Sequence, residues 1–102
     1  MEWIEIIHLR SFDQTARAHA VDAFHRLAPR KALEWPRAIR LWQRTDLDTD
    51  VSIFLYWPDD RRQQSKSVLG LRLAEAFSDF GMIAHSVWRP DDNCRDHEDE
   101  DK

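Results

Sequence analysis

The sequence predicts an α+β domain whose elements follow the order β-α-β-β-α-β. Four short runs have the β-branched and aromatic composition of strands, at residues 3–9, 38–45, 51–57 and 82–88. Two longer runs have apolar residues at helical spacing. One lies between the first and second strands, and the other lies between the third and fourth. The 102 residues suffice for one such domain and leave no room for a second core.

The first predicted helix follows strand 3–9 and ends before Pro29, which cannot continue a helix. Ser11 or Asp13 can cap its start. Ser11 and Gln14 also have the spacing of a capping box, in which side chains satisfy the first free backbone N–H groups. The apolar residues on one side of this helix are Ala16, Ala20, Val21, Phe24, Leu27 and Ala28.

The second predicted helix follows strand 51–57. Asp60 and Gln63 repeat the capping-box spacing, so we expect this helix to begin at Asp60 and to continue to about Phe80. Gly81 is expected to end it in left-handed backbone, which costs glycine little.

The two middle strands form a predicted hairpin, because only the short acidic joint 46–50 separates them. With the outer strands, this hairpin predicts a ferredoxin-like plait, a four-stranded antiparallel sheet with both helices on one face. The chain's own helices can cover only that face of the sheet. We call the other side the open face.

Alternation along the hairpin strands predicts which side chains lie on the open face. If Val51, Ile53 and Leu55 meet the helices, the even-numbered residues of both hairpin strands face away from them. Soluble monomers rarely expose such an aromatic face, so we expect a second copy of the chain, a ligand or both to cover it. The residues expected there are Arg40, Trp42, Arg44, Phe54 and Tyr56.

The first strand allows two orientations. If Ile7 and Leu9 face the helices, His8 lies on the open face, and the reverse choice places Glu5 there. Both sides of this strand are apolar enough that alternation leaves the choice open, and the fourth strand, with His85, has the same ambiguity. We favour His8, because it could then share the open face with the aromatic residues of the hairpin, where a histidine is a candidate for proton transfer near neutral pH.

Charge divides the chain into a body and a tail. Residues 91–102 hold seven acids and two bases, whereas residues 1–90 are close to neutral at +1. We therefore expect a domain at 1–90 and an acidic, disordered tail at 91–102, which would repel nucleic acid and membrane phosphates. The single cysteine, Cys94, excludes an intrachain disulfide, and no apolar run is long enough to cross a membrane. These features predict a cytoplasmic protein.

Several chemistries are excluded by the residues available. With two glycines, the chain contains neither a P-loop nor a GxGxxG dinucleotide motif, and it has no CxxC, GxSxG or HExxH motif. Asp46, Asp48 and Asp50 begin with the spacing of a calcium loop, but Trp57 stands where the loop requires a glutamate. We interpret these aspartates as a solvated turn and expect no metal site.

The strand Ile53–Trp57, followed by Pro58–Asp60 and a helix, resembles the corresponding segment of the dimeric α+β barrel superfamily, and in style its antibiotic-biosynthesis-monooxygenase-like domains. The similarity spans residues 2–90 at the level of pattern. It implies a homodimer in which two sheets face each other, with a pocket between sheet and helices or within the barrel. It also implies activities such as cofactor-independent oxygenation of aromatic substrates and isomerisation.

From these considerations we expect a homodimer. If it is an enzyme, we expect it to use no cofactor and to act on a small aromatic or enolisable substrate. His8 would remove the proton, Arg40 or Arg44 would hold the resulting anion, and the aromatic residues Trp42, Phe54 and Tyr56 would form apolar walls. Two alternatives are a small-ligand-binding or regulatory module without catalysis, and a protein that uses the open face only to dimerise.

Overall fold

A computed structural model describes residues 2–29, 33–58 and 65–91. The elements are strands β1 (Trp3–Ser11), β2 (Ala38–Gln43), β3 (Asp50–Trp57) and β4 (Gly81–Trp88), and helices α1 (Gln14–His25) and α2 (Val68–Phe77), with a short 3-10 turn at Ser78–Phe80. The tail predicted at 91–102 lies outside the described residues except for its first residue.

The four strands form one antiparallel sheet in the order β2-β3-β1-β4. The predicted α+β class and the β-α-β-β-α-β order are confirmed, and the topology is consistent with a ferredoxin-like plait. In the described part of the chain, no helix is long and apolar enough to span a membrane.

Both helices pack on one face of the sheet, and burial therefore alternates along the strands. Side chains with odd numbers in β1 and β3 are buried, whereas Ile4, Ile6 and His8 of β1 are only partly buried. One core cluster joins the odd-numbered strand residues to the inner sides of both helices. Its buried members include Ile7, Leu9, Ala20, Ile53, Leu55, Leu69, Leu73 and Phe77.

Helix α1 is capped by Asp13, one of the two capping residues that the sequence predicted. The Asp13 carboxylate accepts a hydrogen bond of 2.8 Å from the backbone N–H of Ala16, which satisfies one of the free donors of the first turn. Ser11 instead remains in β1, where its hydroxyl donates to the carbonyl oxygen of Thr49. The capping role thus falls to Asp13.

Helix α2 begins at Val68, so the prediction that it begins at Asp60 is wrong; Asp60 and Gln63 themselves lie outside the described residues. Ser67 is the capping residue, and its hydroxyl accepts 2.9 Å from the backbone N–H of Gly70. The backbone N–H of Ser67 donates to Glu5 Oε2 at 3.0 Å. A tertiary contact to β1 therefore defines where this helix begins, and the local spacing alone did not reveal it.

Gly81 opens β4 in extended backbone, with φ 165° and ψ −156°, so the expected left-handed helix end is wrong. A glycine is needed there for a different reason. A Cβ atom at this position would lie 2.0 Å from the carbonyl oxygen of Arg10 on the neighbouring strand. The close approach of β4 to β1 leaves no room for a side chain.

The carboxylate of Glu5 is completely buried between the sheet and α2. It accepts hydrogen bonds from Trp57 Nε1 at 2.8 Å, from the backbone of Ser67 and from the imidazole of His85, whose Nε2 lies 2.8 Å away. Gly70 permits this arrangement, because a Cβ there would lie 2.1 Å from Glu5 Oε2 and 2.9 Å from His85 Nε2. One buried carboxylate therefore connects β1, β3, β4 and the start of α2.

We predict that Gly70→Ala destabilises the protein. In an unconstrained helix, alanine stabilises relative to glycine by about 1 kcal/mol. Here the added methyl group must displace a carboxylate held by three donors, so the free energy of unfolding should fall by about 1–3 kcal/mol. Urea unfolding followed by circular dichroism measures this. The exposed Val68→Ala in the same helix is the control, expected within about 0.5 kcal/mol of the parent. Equal or greater stability of Gly70→Ala would contradict this account of the contact.

Candidate functional site

The open face is formed by the even-numbered residues of all four strands. In β1 this places His8 on the open face and Glu5 beneath the helices. In β4 the corresponding split puts His85 on the helix side, where its side chain is 5% exposed. The structure thus decides an orientation that alternation left open. The role of His8 in a reaction stays a prediction.

Three aromatic rings predicted on the open face form one row. The ring centroids of Trp42 and Phe54 are 5.8 Å apart, and those of Phe54 and Tyr56 are 6.2 Å apart. The Arg40 guanidinium carbon lies 5.6 Å from the centre of the Tyr56 ring, a cation–π distance. Trp42 is 53% exposed, so this row presents a broad apolar surface with a cation at one side.

Asp50 occupies the opposite end of the open face, and its interpretation as part of a solvated turn is wrong. The residue is buried, whereas Asp46 and Asp48 of the same turn are exposed. Arg10 donates two hydrogen bonds to its carboxylate, from Nε to Oδ1 at 3.1 Å and from Nη2 to Oδ2 at 3.2 Å. Nη1 of Arg44 and Nε2 of His8 lie 3.2 Å and 3.0 Å from Oδ2. The Thr49 hydroxyl donates to Oδ1 at 3.3 Å, so five donors from four side chains surround one carboxylate.

These contacts keep Asp50 ionised. Hydrogen bonds from Arg10 lower its pKa most, burial opposes them, and the bonds from His8 and Arg44 bring the pKa to about 2, below the ordinary value of 3.8. A carboxylate with such a pKa carries its charge throughout the physiological range. It accepts hydrogen bonds there and donates none.

His8 makes a hydrogen bond with each of its ring nitrogens. Nε2 meets the Asp50 carboxylate, and Nδ1 lies 2.8 Å from the hydroxyl oxygen of Ser52. The cross-strand register explains the second contact, because His8 pairs with Ser52, which in turn pairs with Trp42. Sequence reasoning did not identify Ser52 or Asp50 as site residues. Their even numbering in β3, shared with Phe54 and Tyr56, was the available signal.

The two arginines predicted to hold an anion are in different situations. Arg44 is occupied, because its Nε donates to Asp46 at 2.7 Å and its Nη1 contacts Asp50. Arg40 is exposed beside Tyr56 and pairs across the strands with Phe54. Of the two candidates, Arg40 is the cation that a ligand on the aromatic row can reach.

No group of three or more metal-ligating side chains occurs among residues 2–29, 33–58 and 65–91. The turn that carries Asp46 and Asp50 uses these acids to bind Arg44. The tail contains two further side chains of metal-ligating type, Cys94 and His97, which lie outside the described residues.

A cavity of about 340 Å³ lies on the helix side of the molecule, away from the open face. It is lined by the residues that follow α1, from Arg26 to Pro29, by Leu33 and Trp35, and by α2 residues that include Leu69 and Leu73. None of the residues predicted for the site lines it. His8 and the aromatic row instead lie on an open surface of the single chain.

The fold and the site define a small α+β protein with a polar cluster and an aromatic row on the uncovered face of its sheet. No known protein family matches this sequence, and no curated protein matches it. Among solved structures, the chain is similar to Rv0793 from Mycobacterium tuberculosis, with a TM-score of 0.58 and 17% sequence identity. The similarity covers 93% of this chain and 100% of that one. At this identity it supports a related fold and leaves the activity open.

The ion cluster around Asp50 predicts a specific dependence of stability on pH. Because its pKa is lowered by folding, Asp50 contributes stability that is complete above about pH 4 and is lost as the pH falls towards 2. Asp50→Asn should lower the free energy of unfolding at pH 7 by about 1–3 kcal/mol. The difference from the parent should shrink between pH 4 and pH 2.

Urea unfolding at a series of pH values tests this expectation. Asp79→Asn removes an exposed carboxylate and serves as the control, with an effect within about 0.5 kcal/mol. A difference for Asp50→Asn that stays constant down to pH 2 would contradict the assignment of the stabilisation to the ionised carboxylate.

Proposed function

We propose that the protein is a homodimer that pairs through its open face, in the manner of the dimeric α+β barrel superfamily. The support is the apolar surface that the single chain leaves uncovered. Trp42, Met82 and Trp88 are 53%, 72% and 56% exposed on this face. Soluble proteins rarely leave such surface open, and a stable interface of about 1,200–2,000 Å² would cover it.

We further propose that the face encloses a pocket in which a small aromatic or enolisable molecule loses a proton. The observation that carries this proposal is the hydrogen-bonded set of His8, Ser52 and Asp50 beside the aromatic row. Apolar walls with few aimed polar groups are typical of small-molecule sites. His8 supplies the base, and Arg40 supplies a positive charge for the anion that forms.

The reaction class proposed is a cofactor-independent oxygenase-like or isomerase-like conversion, in which the anion formed by proton loss reacts further. This agrees with the resemblance to antibiotic-biosynthesis-monooxygenase-like domains. Both conversions begin with the same proton transfer, so one assay can detect the shared step before the final product is known.

A ligand-binding module without catalysis is the second candidate, and one observation favours it. Both nitrogens of His8 already have partners within the chain, as a purely structural histidine would. Such a module would use the same aromatic row and Arg40, and it would bind the ligand without exchanging its protons.

The proposed dimer predicts the mass of the protein in solution. Light scattering at micromolar concentration should give twice the mass of the 12.2 kDa chain. Phe54→Glu places a charge in the centre of the aromatic row and should give a monomer. Leu71→Glu introduces the same charge at an exposed position of α2 and should leave the dimer intact. A monomeric parent protein would contradict the proposal.

Proton removal predicts exchange of substrate hydrogens with solvent. In D₂O, the protein should accelerate deuterium incorporation into small enolisable compounds such as 1,3-diketones. Their enol form loses its O–H proton, and the enolate then takes up deuterium at carbon, which NMR detects. His8→Ala should slow this exchange about a hundredfold, the usual effect of losing a general base. His19→Ala, an exposed histidine on α1, is the control and should exchange at the parent rate.

An oxygen electrode and product NMR then separate oxygenation from isomerisation. Binding without accelerated exchange, detected as a raised melting temperature, would favour the ligand-binding module over the enzyme. Unchanged exchange in a folded His8→Ala protein would reject His8 as the base.

A further inference from the structure

The contacts of His8 determine which of its nitrogens carries the proton. Asp50 is ionised and can only accept, so the Nε2 atom that faces it at 3.0 Å carries the hydrogen in the neutral imidazole. Nδ1 is then unprotonated and accepts the hydroxyl hydrogen of Ser52 across 2.8 Å. The three residues thus form a directed chain of hydrogen bonds that runs from Ser52 through His8 to Asp50.

The position of the Asp50 carboxylate is fixed by its surroundings. Its side chain is fully buried, and its two oxygens accept hydrogen bonds from Nε and Nη2 of Arg10 and from Nη1 of Arg44. The carboxylate that orients His8 is therefore itself held from two sides. This makes Asp50 a positioning residue for the imidazole.

Ser52 lies between His8 and the aromatic row. In the sheet register it pairs with His8 on one side and with Trp42 on the other, and Phe54 follows two residues later on the same face. Its hydroxyl donates its hydrogen to His8, so the oxygen lone pairs remain able to accept a hydrogen bond from a ligand on the aromatic row. The basic nitrogen of His8 is shielded by this hydroxyl.

We infer that a substrate in this pocket loses its proton through the hydroxyl of Ser52, with His8 as the next carrier, and that its acidic group is a phenolic or enolic O–H. The inference rests on the proposed pocket. The substrate proton bonds to Ser52 Oγ while the original hydroxyl proton bonds to His8 Nδ1. The electron pair of the broken O–H bond stays on the substrate oxygen as a phenolate or enolate.

After the transfer, Ser52 is again a neutral hydroxyl and His8 is an imidazolium whose Nε2 still donates to Asp50. An O–H group suits this path, because it can hydrogen-bond to the serine oxygen before it transfers the proton. A carbon acid forms no such bond, and a neutral hydroxyl is a weak base towards it. Arg40 beside Tyr56 supplies the charge that offsets the substrate anion.

The test uses 4-nitrophenol, because its phenolate absorbs visible light and its neutral form does not. Bound to the full-length parent protein, the probe should ionise at a lower pH than in free solution. Ser52→Ala should raise the midpoint of ionisation of the bound probe by about one pH unit or more, because the bound phenolate loses the hydrogen bond that the Ser52 hydroxyl donates to it. Ser52→Thr keeps a hydroxyl and should restore the parent midpoint.

A second measurement needs no ligand. Nitrogen-15 NMR, at a pH where the imidazole spectra are those of the neutral ring, should show the His8 proton on Nε2. Asp50→Asn, checked for folding by circular dichroism, should change this distribution, since the amide can donate as well as accept.

The outcomes distinguish two claims: that the pocket exists, and that the substrate proton passes through Ser52 to His8, which we call the relay. If Ser52→Ala binds 4-nitrophenol with an unchanged or lower midpoint, His8 takes the proton directly and the relay is wrong, while the pocket stands. If the parent protein does not bind the probe, the proposed pocket is wrong and the relay falls with it. If the NMR spectra place the His8 proton on Nδ1, the relay is wrong regardless of the ionisation midpoint of 4-nitrophenol.

Discussion

The buried carboxylate of Glu5 is the interaction on which the rest of this structure depends. It accepts hydrogen bonds from β3, β4 and the start of α2, and it lies at the tip of a β1 side chain. A buried polar group without hydrogen-bond partners costs several kcal/mol, so Glu5 is compatible only with the orientation of β1 that supplies these partners. Because the strand alternates, that orientation also turns His8 to the open face. The hydrogen bonds of Glu5 on the helix side of the sheet thereby determine that His8 is available on the open face.

The open face divides into a charged end and an apolar end, and His8 lies at their border. At the charged end, Asp50 is neutralised by Arg10 and Arg44, so these arginines hold the protein's own carboxylate. At the apolar end, the aromatic row leaves Arg40 as the cation within reach. An anion formed from a planar molecule on this row would therefore lie between the imidazole and a guanidinium. This distribution of charge favours stabilisation of a developing negative charge over binding of a ligand that is already strongly anionic.

Sequence reasoning succeeded where the signal was local and failed where a distant residue supplied the partner. Asp13 caps α1 through an acceptor three residues before its donor, and it was among the predicted alternatives. The start of α2 was misplaced, because Asp60 and Ser67 both have the composition of a local cap. The contact that distinguishes Ser67 comes from Glu5, 62 residues earlier in the chain. Asp50 was grouped with the solvated turn because its binding partner Arg10 comes from β1, 40 residues away.

By itself, the sequence determined the element order, the α+β class and the division of β2 and β3 into an inner and an aromatic outer side. These properties follow from periods of two and 3.6 residues, which neighbouring residues encode. Only the tertiary structure decided the orientation of β1, the use of Gly70 and Gly81 for close approach, and the contact of His8 with Ser52 and Asp50. These depend on the register between strands that are distant in the chain. Register is set by the packing of the whole sheet against its helices, because a slip by one residue would exchange the two faces of a strand.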